Sequence, residues 1–405
     1  MLTVSEAKDI ILAAVRPLPE AIVPLAETLD CVLAHDVASP VNLPMWDNSS
    51  VDGYAVRASD VSDANDNNPI HLRVVTEVPA GTTATAAIEP QTCGRIFTGA
   101  PIPEGADAVV MQEDTHPHHE GYIAVTESVE PGENIRRAGD DVTKDEVVLR
   151  AGTRLGPPQV GLAAALGMTQ LVVRPRPRVG VLVTGGEIVE PGRALRDGQI
   201  YDTNSYAVCA FVKQAGGEPV ELGIADDTRE DLHEKIDYGL SECDAVITVG
   251  GVSVGAYDLV KDVLAELGCE QKFWKIAMRP GKPFVFGTRE SKLVFGLPGN
   301  PVSAAVTFLM LVRPALQKMR GLAEIDLPTV AAEAAADFVN DGDRLHYMRA
   351  SLRRDGEKWL AKPMPNQGSH AISSFANADG LVEVPEATTI SVGHIVKVIR
   401  LFGCD

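Results

Sequence analysis

Residues 244–258 read Asp244-Ala-Val-Ile-Thr-Val-Gly-Gly-Val-Ser-Val-Gly-Ala-Tyr-Asp258. A β-branched run closes at Val249, glycines stand at 250, 251 and 255, and helical texture resumes near Asp258. Strand, glycine turn and helix in that order make the repeating unit of an open, mostly parallel α/β sheet. The turn also carries chemistry. Backbone without side chains lets an anion reach main-chain N–H groups, and the helix N-terminus behind them favours negative charge. Ser253 adds a hydroxyl, and Asp258 is placed to hold a cation or a ligand hydroxyl. The stretch has neither Gly-Lys-Ser/Thr nor G-x-G-x-x-G, so neither standard nucleotide loop applies.

Around this unit the same alternation continues. Strand texture is predicted over 179–183, 219–224, 245–249, 283–286 and 293–296, and helices over 205–215, 229–240, 259–267 and 301–319. Ligands of such a sheet sit at the carboxyl ends of its strands. Arg174-Pro-Arg-Pro-Arg178 reads as the linker that precedes it. Upstream, residues 3–16 have helical spacing, with Thr3 and Glu6 as a capping box. Residues 41–137 break into short β-like runs separated by Pro, Gly, Asn and Asp. Residues 157–172 read as helix, and after Arg320 the β texture returns as a barrel-like or sheet domain. The predicted fold class is multidomain α/β plus β.

A chain of 405 residues exceeds one ordinary core; about two to four domains are expected. No apolar run approaches the roughly 20 residues needed to cross a bilayer, so no membrane partner is expected. Six scattered cysteines without Cys-x-x-Cys spacing predict neither a zinc site nor a disulfide framework, and a reducing cytoplasm. The formal net charge of −20 argues against nucleic acid. Small anions would be met instead where cations cluster, at 136–137, 272–282 and 344–354.

Three loops follow strands of the α/β segment: Thr184-Gly-Gly-Glu187, the loop from Gly250 and Gly251 through Ser253 to Gly255, and Gly296-Leu-Pro-Gly-Asn-Pro-Val-Ser303. In the third, Pro298 and Gly299 lead to Asn300 as N-cap and Pro301 as first helical residue, so the helix opens with free N–H groups. Converging on one crevice, the loops predict a phosphorylated ligand. Glu187, Asp226, Asp227 and Asp258 beside it suit Mg²⁺; as bland features they would be solvated loop acids or helix caps. The polar-rich stretch Leu43–Ala55 makes Asp52 a candidate catalytic or substrate-holding carboxylate. Asn134-Ile-Arg-Arg-Ala-Gly-Asp-Asp141 sets cations and acids around one glycine. Lys275 and Arg279, four apart, would share one strand face and suit an oxyanion, with donors from Gln367-Gly-Ser369 and Arg349. His116, His118 and His119 read as solvent-exposed rather than metal-binding, and no Ser-His-Asp or Cys-His set stands out.

Over essentially its full length the chain resembles the MoeA family of molybdopterin molybdenumtransferases, whose relatives include the E domains of the plant molybdenum insertase and of animal gephyrin. The resemblance rests on Asp47–Ala55, Phe97-Thr-Gly-Ala-Pro-Ile-Pro103, Asn134–Asp141, Thr184–Glu187, Gly250–Gly255, Lys275–Pro283 and Gly296–Ser303. It implies four domains: 1–45 with 138–175 as a discontinuous first, 46–137 as a β-rich second, 176–325 as a MogA-like α/β third and 326–405 as a C-terminal β fourth. It further implies a homodimer whose active site lies between subunits. The implied reaction inserts molybdate into adenylylated molybdopterin and releases AMP, with Mg²⁺ and with a MogA-type adenylyltransferase as partner. The Gly-rich loops and Asn300, with Thr98, Arg136, Thr184 and Ser303, would hold the adenylylated pterin. Glu187, Asp226 or Asp227, and Asp258 would bind Mg²⁺. Lys275, Arg279, Arg349 and Ser369 would offset the oxyanion's charge, and Asp52 and Asp141 would complete the site from the partner's side. Departures are modest: Pro44-Met45-Trp46 for a frequent Pro-Pro-Phe, Thr-Gly-Gly-Glu for Thr-Gly-Asp-Glu, and Arg279 where many members have Lys. Two other functions compete, a MogA-type adenylyltransferase and a gephyrin-like scaffold.

Overall fold

The computed structural model describes residues 1–226, 228–251 and 259–401; Asp227, Ser253, Gly255 and Asp258 of the expected site lie outside them. The chain divides into two units, one of Met1–Ala34, Gly152–Gly156 and Gln170–Asp405, the other of His35–Ala151 and Pro157–Thr169.

The centre of the first unit is a six-stranded sheet in the order Glu218–Ala225, Arg178–Thr184, Ala245–Val249, Lys292–Leu297, Pro283–Arg289, Glu270–Lys275. The first four strands are parallel; Pro283–Arg289 runs antiparallel to them, and Glu270–Lys275 pairs antiparallel with it in turn. All five residues of Ala245–Val249 are buried, as a central strand covered on both faces requires. Ile247 and Val249 face a core shared with Val4, Ala7 and Ile11 of the first helix and with Phe308 and Leu311. Val246 and Leu182 face the opposite core, packed by Leu232, Ile236 and Leu240 and by Val260 and Val263. Each such side chain contributes about 1.5–3 kcal/mol by burial. The first helix, Val4–Ala14, opens on the expected capping box of Thr3 and Glu6.

Two helices differ from expectation. The helix predicted over 157–172 spans only Pro157–Ala165, because Gly167 turns left-handed (φ 76°) and its N–H closes on the Ala164 carbonyl. Residues Gln170–Arg174 are then free to pair as a strand with Ala21–Pro24 and Val32–Leu33. The helix over 301–319 is continuous in space but widens to a π turn at Phe308–Val312, just before Pro314. Proline has no N–H and its ring crowds the carbonyl four residues back, which the wider turn relieves.

After Arg320 a five-stranded barrel forms: Leu345–Asp355, Lys358–Pro363, Thr329–Ala334, Ile395–Arg400 and Gly380–Val384, closed by the first strand pairing with the last. Its interior holds Phe338, Met348, Ala361, Val382 and Val398. The short strand Met278–Arg279 joins this sheet parallel to Leu345 and His346. The fold is therefore multidomain α/β plus β.

The second unit is β-rich around a six-stranded sheet, ordered Ala108–Met111, Gly53–Val56, Thr92–Ile96, Ile70–Val78, Tyr122–Val125, Thr115–Pro117. His116, His118 and His119 are exposed at its edge. Among the described residues the cysteines are free, and no helix is long and apolar enough to cross a membrane.

Candidate active site

A cavity of about 1040 Å³ opens where the parallel strands of the first unit end. Thr184, Gly185 and Glu187 line it, with Gly250 and Gly251 and with Pro298, Gly299 and Asn300, so the three expected loops do meet. They meet closely. The Gly250 N–H donates to the Leu297 carbonyl, and a β-carbon at Gly250 would lie 2.6 Å from the Thr184 carbonyl oxygen. Gly250 also has φ +92°, a conformation that L side chains avoid. Gly250→Ala is expected to lose at least about 1 kcal/mol of stability and to weaken ligand binding, since relief of the clash must move the Thr184 loop. A melting temperature and nucleotide affinity both unchanged would refute that packing.

From the segment Asp202-Thr-Asn-Ser205, which was missed in the sequence, Asp202, Thr203 and Asn204 also line the cavity. Asp202 accepts the Ser205 N–H at 3.0 Å, and Asn204 donates through Nδ2 to the Gly299 carbonyl at 2.8 Å. The signal was available, because two Asx residues and two hydroxyls in four positions match the density that singled out 47–55. Among the described residues Asn204 Oδ1 and Thr184 Oγ1 are buried without a hydrogen-bond partner, an uncommon and costly condition.

Asn300 stands at the head of its helix as expected, but its side chain does not cap it. Nδ2 reaches the Ser369 hydroxyl at 3.1 Å, and the Ser369 carbonyl takes the Val302 N–H. The expected set of free N–H groups is thus partly engaged by the loop from the barrel domain. That loop belongs to a second cavity of about 430 Å³, lined by Arg279, Lys282, Arg344, Ser303 and Ser369. The two cavities share Pro283, Asn300 and His370.

Lys275 and Arg279 do not share a strand face. Lys275 ends the antiparallel edge strand of the α/β sheet, opposite Pro283, while Arg279 lies in the barrel-side strand beside His346. The chain leaves the first sheet between them, where Ile276 pairs with Leu2 and Ala277 donates to the Leu2 carbonyl. The Lys275 ammonium rests 3.5 Å from the centroid of the Trp274 ring. Arg279 faces the second cavity, with Asp341 3.9 Å away. Lys282, counted only as part of a basic cluster, is the cation that joins it there.

Arg349 also departs from expectation. It is 2% exposed, and its guanidinium donates to the carbonyls of Gly368 (3.1 Å) and Asn366 (2.9 Å) and to Gln367 Oε1 (3.3 Å). Burial lowers its pKa to about 10. It holds the loop that presents Ser369.

Of the expected metal ligands, Glu187 lines the larger cavity and Asp226 is exposed, its N–H donating to Asp231. Among the described residues no three His, Cys, Asp or Glu side chains form a cation cage. Mg²⁺ commonly takes one or two protein carboxylates plus substrate phosphates, and Glu187 in the cavity of the glycine loops fits that mode.

In the second unit Asp52 Oδ1 accepts both the Thr98 N–H (2.8 Å) and its hydroxyl (2.7 Å). The N–H bond first, then the hydroxyl, holds the carboxyl below the usual carboxylate range. Arg136 and Asp141 are exposed; their neighbour Arg137 is paired with Asp47 at 2.6 Å.

Family models match the chain as the MoeA N-terminal region (domain I and II) over residues 2–167, a probable molybdopterin binding domain over 180–318 and the MoeA C-terminal region (domain IV) over 331–401. A molybdopterin molybdenumtransferase of Haemophilus influenzae is 38% identical over 402 residues, covering 98% of each chain. Molybdopterin molybdenumtransferase 2 of Mycobacterium tuberculosis is 38% identical over 391 residues, 95% of this chain and 96% of that one. The crystal structure of the molybdopterin biosynthesis MoeA protein from Pyrococcus horikoshii OT3 superposes with a TM-score of 0.80 at 32% identity, covering 99% of this chain and 100% of that one. Fold, sequence and domain order agree: the chain belongs to the MoeA family of molybdopterin molybdenumtransferases.

Proposed function

We propose that this protein inserts molybdenum into adenylylated molybdopterin, taking molybdate and releasing AMP, in the last step of molybdenum cofactor biosynthesis. The observation that carries the reading is the pair of abutting cavities, one lined by glycine loops and Glu187, the other by Arg279, Lys282 and Arg344. The adenylylated pterin would occupy the larger, with its phosphates on the N–H groups at Gly251 and Gly299 and close against the side-chain-free Gly250. The oxyanion would occupy the smaller, against the cations and Ser369. Asn300, common to both, would register the two substrates. Mg²⁺ would be held by Glu187 and the substrate phosphates, with Asp226, Asp227 and Asp258 as further carboxylates, and would neutralise charge at the cleaved anhydride. A homodimer in the cytoplasm would bring a second copy's Asp52, Thr98, Arg136 and Asp141 to the site, over the four domains bounded at 45, 137, 175 and 325. A MogA-type adenylyltransferase would supply the adenylylated substrate.

The test supplies adenylylated molybdopterin, molybdate and Mg²⁺ and follows AMP release together with reconstitution of an apo-molybdoenzyme. AMP release that depends on molybdate supports the reading. Robust formation of adenylylated molybdopterin from molybdopterin and ATP would replace it with the adenylyltransferase, and neither activity would leave the scaffold.

Asp52→Asn is expected to impair insertion while staying folded, with a small fall in melting temperature at neutral pH. The amide oxygen can still accept from Thr98, but the charge is gone. Because the Asp52 pKa is lowered by folding, its contribution is present above the unfolded carboxyl value and fades as pH falls through the folded one. The variant's stability should therefore converge with the wild type's in acid. Full activity of a folded Asp52→Asn protein would remove Asp52 from the mechanism.

A further inference from the structure

We propose that His346 is a proton-accepting positioning residue behind the smaller cavity, so that an oxyanion entering the Arg279–Lys282–Ser369 pocket is bound together with a proton. The inference rests on the oxyanion reading of that pocket and adds a group outside its lining.

His346 is 2% exposed, and among the described residues neither ring nitrogen has a hydrogen-bond partner. A neutral imidazole always carries one N–H donor and one bare acceptor, and leaving both unmet in the interior is costly. Few side chains persist in that condition without a role. Its place in the fold indicates which role. His346 pairs in register with Arg279 across the parallel ladder and follows Arg344 by two residues; both arginines line the cavity. Arg349, three residues on, ties down the loop carrying Ser369. The charged groups acting on the ring are thus Arg279 from the short strand, Arg344 and Arg349 from its own strand, and Asp341 from the preceding loop.

Burial first and then Arg279 lower the imidazole pKa to about 4, so the ring is neutral near pH 7. A dianion held by Arg279, Lys282 and Ser369 reverses the local field. Its charge offsets the arginines and favours the imidazolium, whose two N–H groups are both donors. By linkage, whatever raises the affinity of His346 for a proton makes a proton raise the affinity for the anion. A tetraoxoanion with a double charge at working pH gains most, so the device also favours molybdate-like dianions over monoanions such as perchlorate.

The experiment is titration calorimetry of the full-length protein with sodium molybdate, and separately with sulfate, in PIPES and in imidazole, two phosphate-free buffers of different ionisation heat, from pH 6 to 8. The buffer dependence of the heat reads proton uptake directly. The expected result is uptake of a substantial fraction of one proton at pH 6, falling toward pH 8, with affinity decreasing by up to tenfold per pH unit. His346→Gln should abolish the uptake and flatten the pH profile, while His370→Gln, which changes the exposed imidazole lining the cavity, should leave the uptake in place. Wild-type protein that binds molybdate with no proton uptake, or His346→Gln with unchanged uptake, overturns the role of His346 and leaves the pocket standing. Absence of molybdate binding, or binding that Arg279→Ala does not weaken, overturns the pocket itself and the inference with it.

Discussion

Arg349→Ala is expected to destabilise the barrel domain by about 2–3 kcal/mol, as loss of a buried side chain that donates several charge-assisted hydrogen bonds does. The wild-type guanidinium satisfies the carbonyls of Asn366 and Gly368 and Gln367 Oε1, and Gln367 Nε2 returns a bond to the Arg349 carbonyl at 2.8 Å. Alanine removes the side-chain donors from all three; Gln367 Oε1 keeps the backbone N–H of residue 349 and the Gly368 carbonyl keeps the Ala371 N–H, while the Asn366 carbonyl loses its donor, and a hydrogen bond from a charged donor contributes about 1.5–3 kcal/mol. The consequence reaches the site, because Ser369 follows directly and is held from the other side by Asn300. Arg349→Lys should recover little, since an ammonium cannot span three acceptors in a planar fork. Urea titration with a probe in the barrel, read beside activity, checks this. A variant with wild-type stability and a selective loss of oxyanion affinity would return Arg349 to the role of ligand cation that the sequence suggested.

The contrast between Arg349 and Lys282 shows where the sequence was legible. Periodicity predicted the parallel strands and their helices closely, and Ala245–Val249 coincides with the expected run, because continuous burial on both faces demands an apolar stretch bounded by turn residues. The glycine loops were legible for the same reason: φ +92° at Gly250 admits few other residues. What local pattern cannot convey is long-range pairing. Nothing between 273 and 283 announces that one sheet is left and another joined, so even spacing placed Lys275 beside Arg279 on a single strand. Nor does an arginine's neighbourhood in sequence reveal whether its guanidinium meets solvent or a carbonyl-lined interior. Asp202 and Asn204 differ again; their capping chemistry was visible, but the reading attended to glycine.

Replacing Arg279 and Lys282 together by alanine should raise the molybdate requirement on the order of 10²- to 10⁴-fold, since each charge-assisted hydrogen bond to an anion contributes about 1.5–3 kcal/mol. Both residues line the smaller cavity, whereas Lys275 has its ammonium over the Trp274 ring and is absent from the lining. Lys275→Ala should therefore affect molybdate use less than either cavity cation. The larger cavity contains neither Arg279 nor Lys282 among its walls, so affinity for the adenylylated pterin should change far less than affinity for the oxyanion. In a net charge of −20 these side chains also reverse the field locally, so added salt should raise the molybdate requirement of the wild type more than that of the double variant, in which Arg344 alone of the three cavity cations is left to screen. Initial rates measured against molybdate and against adenylylated molybdopterin in turn separate the two substrates. A double variant that keeps its molybdate dependence and loses pterin affinity would exchange the assignments of the two cavities.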